Sequence, residues 1–220
     1  MPEAIDPNPS RRPPGACALL QAQHLAARRG ERMLFHALEL ALHPGEIVWL
    51  RGTNGRGKTT LLRTLAGLSS PTEGGVAAVV ELAYIGHANA LKDDLLAAEA
   101  LRFLSALRGP PATAAAVQAA LVTMGVGRQA HLPVRVLSQG QRRRVALARL
   151  ALPDPQHLWL LDEPFDALDE AGIATLEGLL RVQAQAGAAV LLTSHQPLPA
   201  GLATRVLDLD AAWRSARAAA

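Results

Sequence analysis

The chain has 220 residues, and 50% of them are hydrophobic, so it can bury the core of one large domain or two small ones. Aromatic residues make up only 3%, which argues against a surface that stacks the bases of RNA or single-stranded DNA. The net charge of +3 gives little support to nucleic-acid binding, and the single cysteine excludes an internal disulfide bond and a cysteine-based metal cluster.

The two ends of the chain differ in composition from its middle. Residues 1–16 contain five prolines and two acidic residues without an apolar segment, which predicts a disordered lead-in rather than a signal peptide. Residues 211–220 are an alanine-rich tail, and residues 17–210 are predicted to form one domain. No apolar run approaches the roughly 18 residues of a membrane-spanning helix, so we expect the chain itself not to enter a membrane.

The first part of this domain is predicted to contain strands and one helix. Residues 17–50 have the pattern of short strands, which end with the continuous apolar strand Ile47–Leu50. A glycine-rich turn follows, and leucines at helical spacing then predict a helix that stops at Gly67. Pro71–Gly75 has the composition of a turn, and residues 76–85 are predicted to form the next strand.

The apolar periodicity changes from strand to helix in the middle of the chain. Amphipathic patterns predict helices over 93–107, 113–125 and 141–152, within a helical insertion at about residues 90–152. Further patterns predict strands over 157–163, 187–195 and 204–210, and a helix over 170–185. Because apolar strands alternate with helices, the fold class is predicted to be α/β, with a mostly parallel sheet covered on both faces.

Residues 52–59, Gly-Thr-Asn-Gly-Arg-Gly-Lys-Thr, satisfy the G-x-x-x-x-G-K-[ST] pattern between a predicted strand and a predicted helix. Glycines let the backbone curl so that N–H groups converge on phosphate oxygens, and the helix N-terminus adds partial positive charge. Lys58 would bridge the β- and γ-phosphates, and the Thr59 hydroxyl would bind Mg²⁺. The flanking elements disfavour a chance glycine-rich turn. The predicted nucleotide-binding residues are Gly52, Thr53, Asn54, Gly55, Arg56, Gly57, Lys58, Thr59 and Thr60.

A second motif supplies two carboxylates. The apolar strand predicted over Leu158–Leu161 ends at Asp162 and Glu163. Ligands bind at the carboxyl ends of parallel strands, so this pair is predicted to lie beside the phosphate loop. Asp162 would hold Mg²⁺, directly or through water, and Glu163 would act as the general base that polarises the attacking water. The alternative is a pair that only caps a helix before Pro164, and the phosphate loop upstream disfavours it.

The order of these motifs resembles that of the ATP-binding cassette (ABC) ATPases over roughly residues 17–210. Leu137–Gln141 is similar to the family's LSGGQ signature, Asp166–Asp169 to its D-loop, and His195 to the histidine that contacts the γ-phosphate. The resemblance implies a P-loop NTPase of the ABC type that hydrolyses Mg-ATP, with signature residues acting on the nucleotide of a second copy. The signature residues are Ser138, Gln139, Gly140 and Gln141, the D-loop residue is Asp169, and the predicted catalytic residues are Lys58, Glu163 and His195.

Several positions depart from the general family pattern. His87 stands where a glutamine usually senses Mg²⁺ and the membrane partner, and Gln139 replaces a glycine of the signature. Arg29 takes the place of the aromatic residue that stacks on adenine, and a guanidinium can also stack on a base. The three arginines after the signature, residues 142–144, are predicted to form a solvated face.

With these departures, the sequence resembles the cytochrome c maturation ATPases, which are ATP-binding subunits of a haem exporter. The Gly86–His87 pair and the segment Ser194–Leu198 carry most of this resemblance. It implies two copies that close head-to-tail over ATP, and a separate multi-spanning membrane subunit for haem export. It also implies a peripheral protein on the cytoplasmic face of the inner membrane that does not itself bind haem. Most ABC ATPases have a longer hairpin where this chain has only the short segment between Gly75 and Tyr84. The comparison with the family therefore implies a reduced N-terminal antiparallel β part.

Two other functions stay open at this point. An ABC ATPase could serve a different transported substrate, although the Gly86–His87 pair argues against it. The third possibility is a soluble ABC ATPase that acts on nucleic acid or ribosomes. Such proteins usually carry two cassettes or long coiled-coil arms, and 220 residues accommodate neither. We therefore expect no direct nucleic-acid partner.

Overall fold

A computed structural model describes residues 17–107, 109–153 and 157–212. The predicted lead-in and residues 213–220 of the tail lie outside this part of the chain. Within it, the strands are β1 (Leu20–Arg29), β2 (Arg32–Leu42), β3 (Ile47–Arg51), β4 (Glu73–Ala78), β5 (Leu82–Ile85), β6 (Leu158–Leu161), β7 (Ala189–Thr193) and β8 (Arg205–Asp208). The α-helices are α1 (Lys58–Leu65), α2 (Ala97–Ala106), α3 (Ala114–Thr123), α4 (Gln139–Leu147) and α5 (Glu170–Gln185). Short 3₁₀ helices lie at Gly127–Gln129, Val134–Val136 and Ala148–Ala151.

The centre of the fold is a sheet of five strands in the order β5-β6-β7-β3-β8, and each neighbouring pair is parallel. Every residue of β6 and β7 is buried, because both faces of these strands are covered. The predicted α/β class with a parallel core is therefore confirmed. Parallel strands end at the same edge of a sheet, so the loops that follow β3, β6 and β7 converge there.

A smaller antiparallel sheet, in the order β2-β1-β4, packs with α1 on one face of the parallel sheet. Strands β1 and β2 form a hairpin, and β4 pairs with the far edge of β1. Leucines of β1 and β2 are buried with α1 and with one face of the parallel sheet. The predicted reduced antiparallel part is therefore present, and it packs beneath the helix that follows the phosphate loop.

The strand predicted over residues 76–85 is wrong, because the run is divided between the two sheets. Val76 pairs with β1, whereas Leu82 pairs with β6. The turn predicted at Pro71–Gly75 is also too long, since β4 begins at Glu73. The linking residues 79–81 contain no glycine or proline, so the mostly apolar sequence conceals the bend between the strands.

The parallel sheet separates two buried clusters of side chains. Val190 and Leu192 of β7 face a cluster shared with helices α2 to α5, whereas Ala189 and Leu191 face α1 and the antiparallel sheet. This alternation is the period of two that a strand imposes on its side chains. Within the described ranges, no helix is long and apolar enough to cross a membrane.

Gly74 lies where β4 meets an irregularity of β1, between Gln23 and Ala26. Its φ is +80°, and a Cβ atom added there would lie 2.3 Å from the Gln23 carbonyl oxygen. We predict that Gly74→Ala lowers the free energy of unfolding by about 2 kcal/mol or more, because both the backbone and this contact become strained.

Gly75→Ala is the matched control for this prediction. Apart from its chain neighbours, no described atom lies within 4 Å of a Cβ added at Gly75. Urea denaturation of the two variants measures the difference in unfolding free energy. Equal losses would show that β4 does not depend on the glycine at position 74.

Candidate nucleotide-binding site

The loop between β3 and α1 adopts the curled backbone that its glycines predict. Gly57 has φ +104° and caps α1, and a Cβ added there would lie 3.0 Å from the Leu34 Cβ. Glycine is therefore required at this position for both backbone conformation and space. Because the cap has no side chain, the first N–H groups of α1 face outward as donors for an anion.

Two side chains at the start of α1 connect the loop to its surroundings. The Lys58 ammonium donates to the Gly52 carbonyl oxygen at 2.8 Å, which spans the loop. The Thr59 hydroxyl donates to Asp162 Oδ2 at 2.8 Å. Threonine and aspartate supply the hard oxygen ligands that Mg²⁺ prefers, so the donor set at this point fits that ion.

Thr193, at the end of β7, organises the two carboxylates that follow β6. Its hydroxyl donates to Asp162 Oδ1 at 2.9 Å and accepts the Glu163 N–H at 2.8 Å. Thr193 is fully buried, and Asp162 and Glu163 are buried as well. The sequence analysis missed Thr193, although a polar residue that ends an apolar strand is a usable signal.

The carboxylate of Glu163 is oriented by its backbone and by His195. Glu163 has φ +49°, a left-handed conformation that turns the chain sharply after β6. Its Oε2 accepts the His195 backbone N–H at 2.8 Å, and its Oε1 lies 3.6 Å from His195 Nε2. The structure therefore brings the predicted base and the predicted γ-phosphate histidine into direct contact.

These groups surround one cavity of about 450 Å³. The predicted site residues that line it are Arg29, Asn54, Gly55, Arg56, Gly57, Lys58, Thr59, Thr60, His87, Asp162, Glu163 and His195. Gly52 and Thr53 line a neighbouring cavity, which shares Lys58 and His195 with the first. Arg29 is exposed, so the base contact predicted for it stays a prediction.

The phosphate loop is also tied to the segment that follows β8. Asp210 accepts the Thr53 N–H at 2.7 Å and the Thr53 hydroxyl at 3.1 Å. The same carboxylate lies 3.1 Å from Arg56 Nε, and Arg56 is 9% exposed. Asp210 thus holds two loop residues in place, a role that the sequence analysis did not assign.

The signature residues lie at the start of α4, and Ser138, Gly140 and Gln141 line a different cavity, of about 360 Å³. Ser138 caps the helix by accepting the Gln141 N–H at 3.2 Å, and the Gln141 side chain accepts the Ser138 N–H at 2.9 Å. Gln139 is exposed, whereas a Cβ added at Gly140 would lie 2.9 Å from the Ala167 carbonyl oxygen. This cavity shares no lining residue with the phosphate-loop cavity.

Asp169 of the D-loop segment is bonded within its own chain. Its carboxylate accepts the Gly172 N–H at 2.8 Å, which caps α5, and it also accepts a hydrogen bond from the Arg144 guanidinium. The Gly172 N–H, helped by Arg144, lowers the pKa of Asp169 below its usual value. Asp169 therefore joins the signature helix to the start of α5.

The solvated face predicted for residues 142–144 is wrong. Arg143 is 3% exposed, and Arg144 donates to the Met124 carbonyl oxygen and to Asp169. Arg142 is half-buried and donates to the backbone of the segment before α4. The error arises because the sequence of α4 is highly polar, whereas its arginines reach carbonyl groups of neighbouring loops. Burial lowers the pKa of Arg143, and Asp166, Asp162 and Glu163 oppose that shift.

We predict that Asp210→Ala raises the dissociation constant for ATP about tenfold, because hydrogen bonds of this kind contribute about 1 kcal/mol each. The variant removes the acceptor of both Thr53 hydrogen bonds and the partner of Arg56. Calorimetric titration with Mg-ATP measures the affinity. Asp94→Ala is the control, since that side chain is 95% exposed and pairs only at the surface with Arg135. An unchanged affinity in Asp210→Ala would contradict the prediction.

Comparison with known proteins agrees with this geometry. Residues 35–166 match the family model described as ABC transporter. The cytochrome c biogenesis ATP-binding export protein CcmA of Aromatoleum aromaticum is 46% identical, with 87% of this chain and 95% of that protein aligned. The protein of the same name from Methylococcus capsulatus is 44% identical, with 88% and 99% aligned.

Two solved structures share the fold. An ATP-binding subunit of an ABC transporter has a TM-score of 0.72 at 25% identity, covering 80% of this chain and 79% of that chain. A dimeric ATP-binding cassette in a post-hydrolysis state, bound to ADP and Pi, has a TM-score of 0.77 at 22% identity, covering 86% and 93%. The family match and the near full-length relatives therefore show that the chain belongs to the ABC transporter family, among the cytochrome c biogenesis ATP-binding export proteins CcmA.

Proposed function

We propose that this chain hydrolyses ATP to ADP and phosphate and thereby drives a separate membrane subunit in haem export for cytochrome c biogenesis. The observation that carries the ATPase role is the hydrogen-bond network in which buried Thr193 and Thr59 hold Asp162 and Glu163 at the cavity beside the phosphate loop. The names of its relatives support the export role. In this proposal the chain is a peripheral subunit on the cytoplasmic face of the inner membrane.

Phosphate binding is the first task of the site. The outward N–H groups at the start of α1 and the Lys58 ammonium provide positive potential for the β- and γ-phosphates. Lys58 exchanges its bond to the Gly52 carbonyl for a phosphate oxygen. Thr59 and Asp162 are the residues that would hold Mg²⁺, which neutralises charge on the phosphates when it is bound.

Activation of water is the task of Glu163. Its carboxylate accepts the proton of the attacking water, and the His195 N–H fixes the direction in which the carboxylate points. Glu163 is 5% exposed, so few solvent molecules compete with the water that it orients. The imidazole of His195, 3.6 Å from Oε1, is placed to contact the γ-phosphate on the same side.

The signature residues serve the nucleotide of a second copy in this proposal. Ser138 and Gly140 line a cavity that does not include the phosphate loop, so they do not complete the site of their own chain. The hydroxyl of Ser138 and the N-terminus of α4 are suited to contact an anion. Two copies that close head-to-tail would bring each signature to the other copy's ATP, and differential binding of ATP to this closed state would supply the work.

The exposed His87 lies at the mouth of the phosphate cavity, 3.8 Å from Asp166. We propose that His87 connects the nucleotide site to the multi-spanning membrane subunit. The proposed function does not include haem binding by this chain, since transport of haem is the task of the membrane subunit. It does not include nucleic-acid binding either.

We predict that Glu163→Gln binds ATP and accumulates as a dimer, because the amide still accepts the His195 N–H but cannot accept a proton from water. Size-exclusion chromatography with and without ATP measures the dimer. The double variant Glu163→Gln/Lys58→Ala is the control, and we expect it to stay monomeric because it lacks the phosphate-binding ammonium. A monomeric Glu163→Gln variant in saturating ATP would refute the composite site.

The export role is tested by affinity purification of the tagged chain from detergent-solubilised membranes of its host. We predict that multi-spanning subunits of the cytochrome c maturation system are recovered with it, and that Glu163→Gln retains them. Recovery of another transporter would assign a different substrate. ATPase stimulation by RNA that weakens steeply with salt would instead support the nucleic-acid alternative.

A further inference from the structure

Arg143 is a buried cation whose hydrogen bonds reach two separate loops. It lies on α4, five residues after the signature serine, and is 3% exposed. One guanidinium nitrogen donates to the Gly86 carbonyl oxygen at 3.1 Å and to Asn89 Oδ1 at 3.2 Å. The other donates to the carbonyl oxygens of Asp162, at 3.1 Å, and Glu163, at 2.6 Å. One side chain thus bonds the loop that contains His87 and the turn that contains the predicted base.

The choice of acceptors matters for the carboxylates. Arg143 bonds the backbone of Asp162 and Glu163, whereas their carboxylate oxygens interact with Thr59, Thr193 and His195. A cation that paired directly with the Glu163 carboxylate would compete for the oxygens that must face water. By bonding carbonyl groups, Arg143 compensates the negative charge nearby and leaves those oxygens available.

The geometry also explains why the turn after β6 persists. A non-glycine residue with φ +49° costs of the order of 1–3 kcal/mol, so surrounding contacts must hold it. The Glu163 N–H is held by Thr193 on one side, and the Glu163 carbonyl is held by Arg143 on the other. Both ends of this residue are therefore fixed, and its side chain is directed toward His195.

We propose that Arg143 is the positioning residue of the hydrolytic site, and that its guanidinium holds the left-handed turn at Glu163 so that the carboxylate meets His195. The group that Arg143 positions is the base proposed for ATP hydrolysis, so the inference rests on the proposed function. The planar, two-sided donor set is needed, because a lysine ammonium in this place cannot span Gly86 and Glu163 in the same way. Arg143 acts through Glu163 and does not itself touch the nucleotide.

The test compares Arg143→Lys with wild type by ATPase kinetics, Mg-ATP affinity and thermal unfolding. We expect kcat to fall about tenfold or more, with the ATP dissociation constant changed less than about threefold, because the variant misplaces the base but leaves the phosphate loop intact. Arg142→Lys is the matched control, since Arg142 bonds the Leu137 and Arg135 carbonyls and pairs with Asp93, away from Asp162 and Glu163. Equal kcat in wild type and Arg143→Lys would overturn the inference, as would a parallel loss of affinity and kcat.

A double-mutant cycle separates positioning from general damage. In a Glu163→Ala background no carboxylate is left to position, so Arg143→Lys is expected to leave the residual single-turnover rate unchanged within about twofold. Fully multiplicative losses would show that Arg143 acts elsewhere. Failure of Glu163→Ala to reduce hydrolysis would instead refute the role of Glu163 as base, whereas absence of hydrolysis in the wild type would refute the proposed function.

Asn89→Ala covers the case in which Arg143→Lys does not fold. It removes one acceptor of the Arg143 guanidinium, at a half-buried position in the loop that contains His87, and adds no charged group. We expect a kcat loss of about threefold with ATP affinity retained, and no loss would overturn the inference.

Discussion

The pairing of β7 with both β3 and β6 is the constraint on which the site depends. Leu161 of β6 lies opposite Leu192, and Leu50 of β3 lies opposite Thr193, so the three strands end close together at the same edge of the sheet. The residues that follow are the phosphate loop, the two carboxylates and His195. A shift of β7 by one residue would turn the Thr193 hydroxyl to the other face of the sheet. Asp162 Oδ1 would then lose the hydrogen bond from Thr193, and only the bond from Thr59 to Oδ2 would still orient the carboxylate.

The buried charges at this edge of the sheet are compensated without a direct ion pair between Arg143 and either carboxylate. Asp162, Glu163 and Arg143 are each less than 6% exposed, which is costly for ionised groups unless hydrogen bonds and opposite charges surround them. The cation meets this requirement by bonding carbonyl groups, and hydroxyl and amide donors surround the anions. Burial lowers the pKa of Arg143, and the three acidic neighbours oppose this shift. A guanidinium keeps its charge in proteins, so Arg143 acts as a cation here. The edge therefore keeps carboxylate oxygens directed at the cavity and still satisfies a buried ion cluster.

Contiguous features were predictable from the sequence, and contacts between distant residues were not. The helix over 170–185 coincides with α5, and the phosphate loop lies between β3 and α1 as predicted, because helical period and glycine spacing are local signals. Thr193 contacts Asp162 across 31 positions of the chain, and Asp210 contacts Thr53 across 157. Such contacts follow from strand order, which a sequence pattern does not give. The exposure predicted for the three arginines of α4 was wrong for the same reason, since polar side chains are expected at the surface unless their acceptors are known.

Helix α4 connects two neighbourhoods of the domain, the cavity at the signature and the turn at Glu163. Ser138 caps it, where the signature lines a cavity outside the phosphate site, and Arg143 lies about 7.5 Å further along at the usual rise of a helix. Arg144, the next residue, bonds Asp169 at the start of α5. A displacement of α4 as a rigid unit would therefore move the donors offered to a second copy, the carbonyl of Glu163 and the cap of α5 together. In the proposed dimer, the nine residues of this helix would therefore couple the contact between copies to the orientation of Glu163.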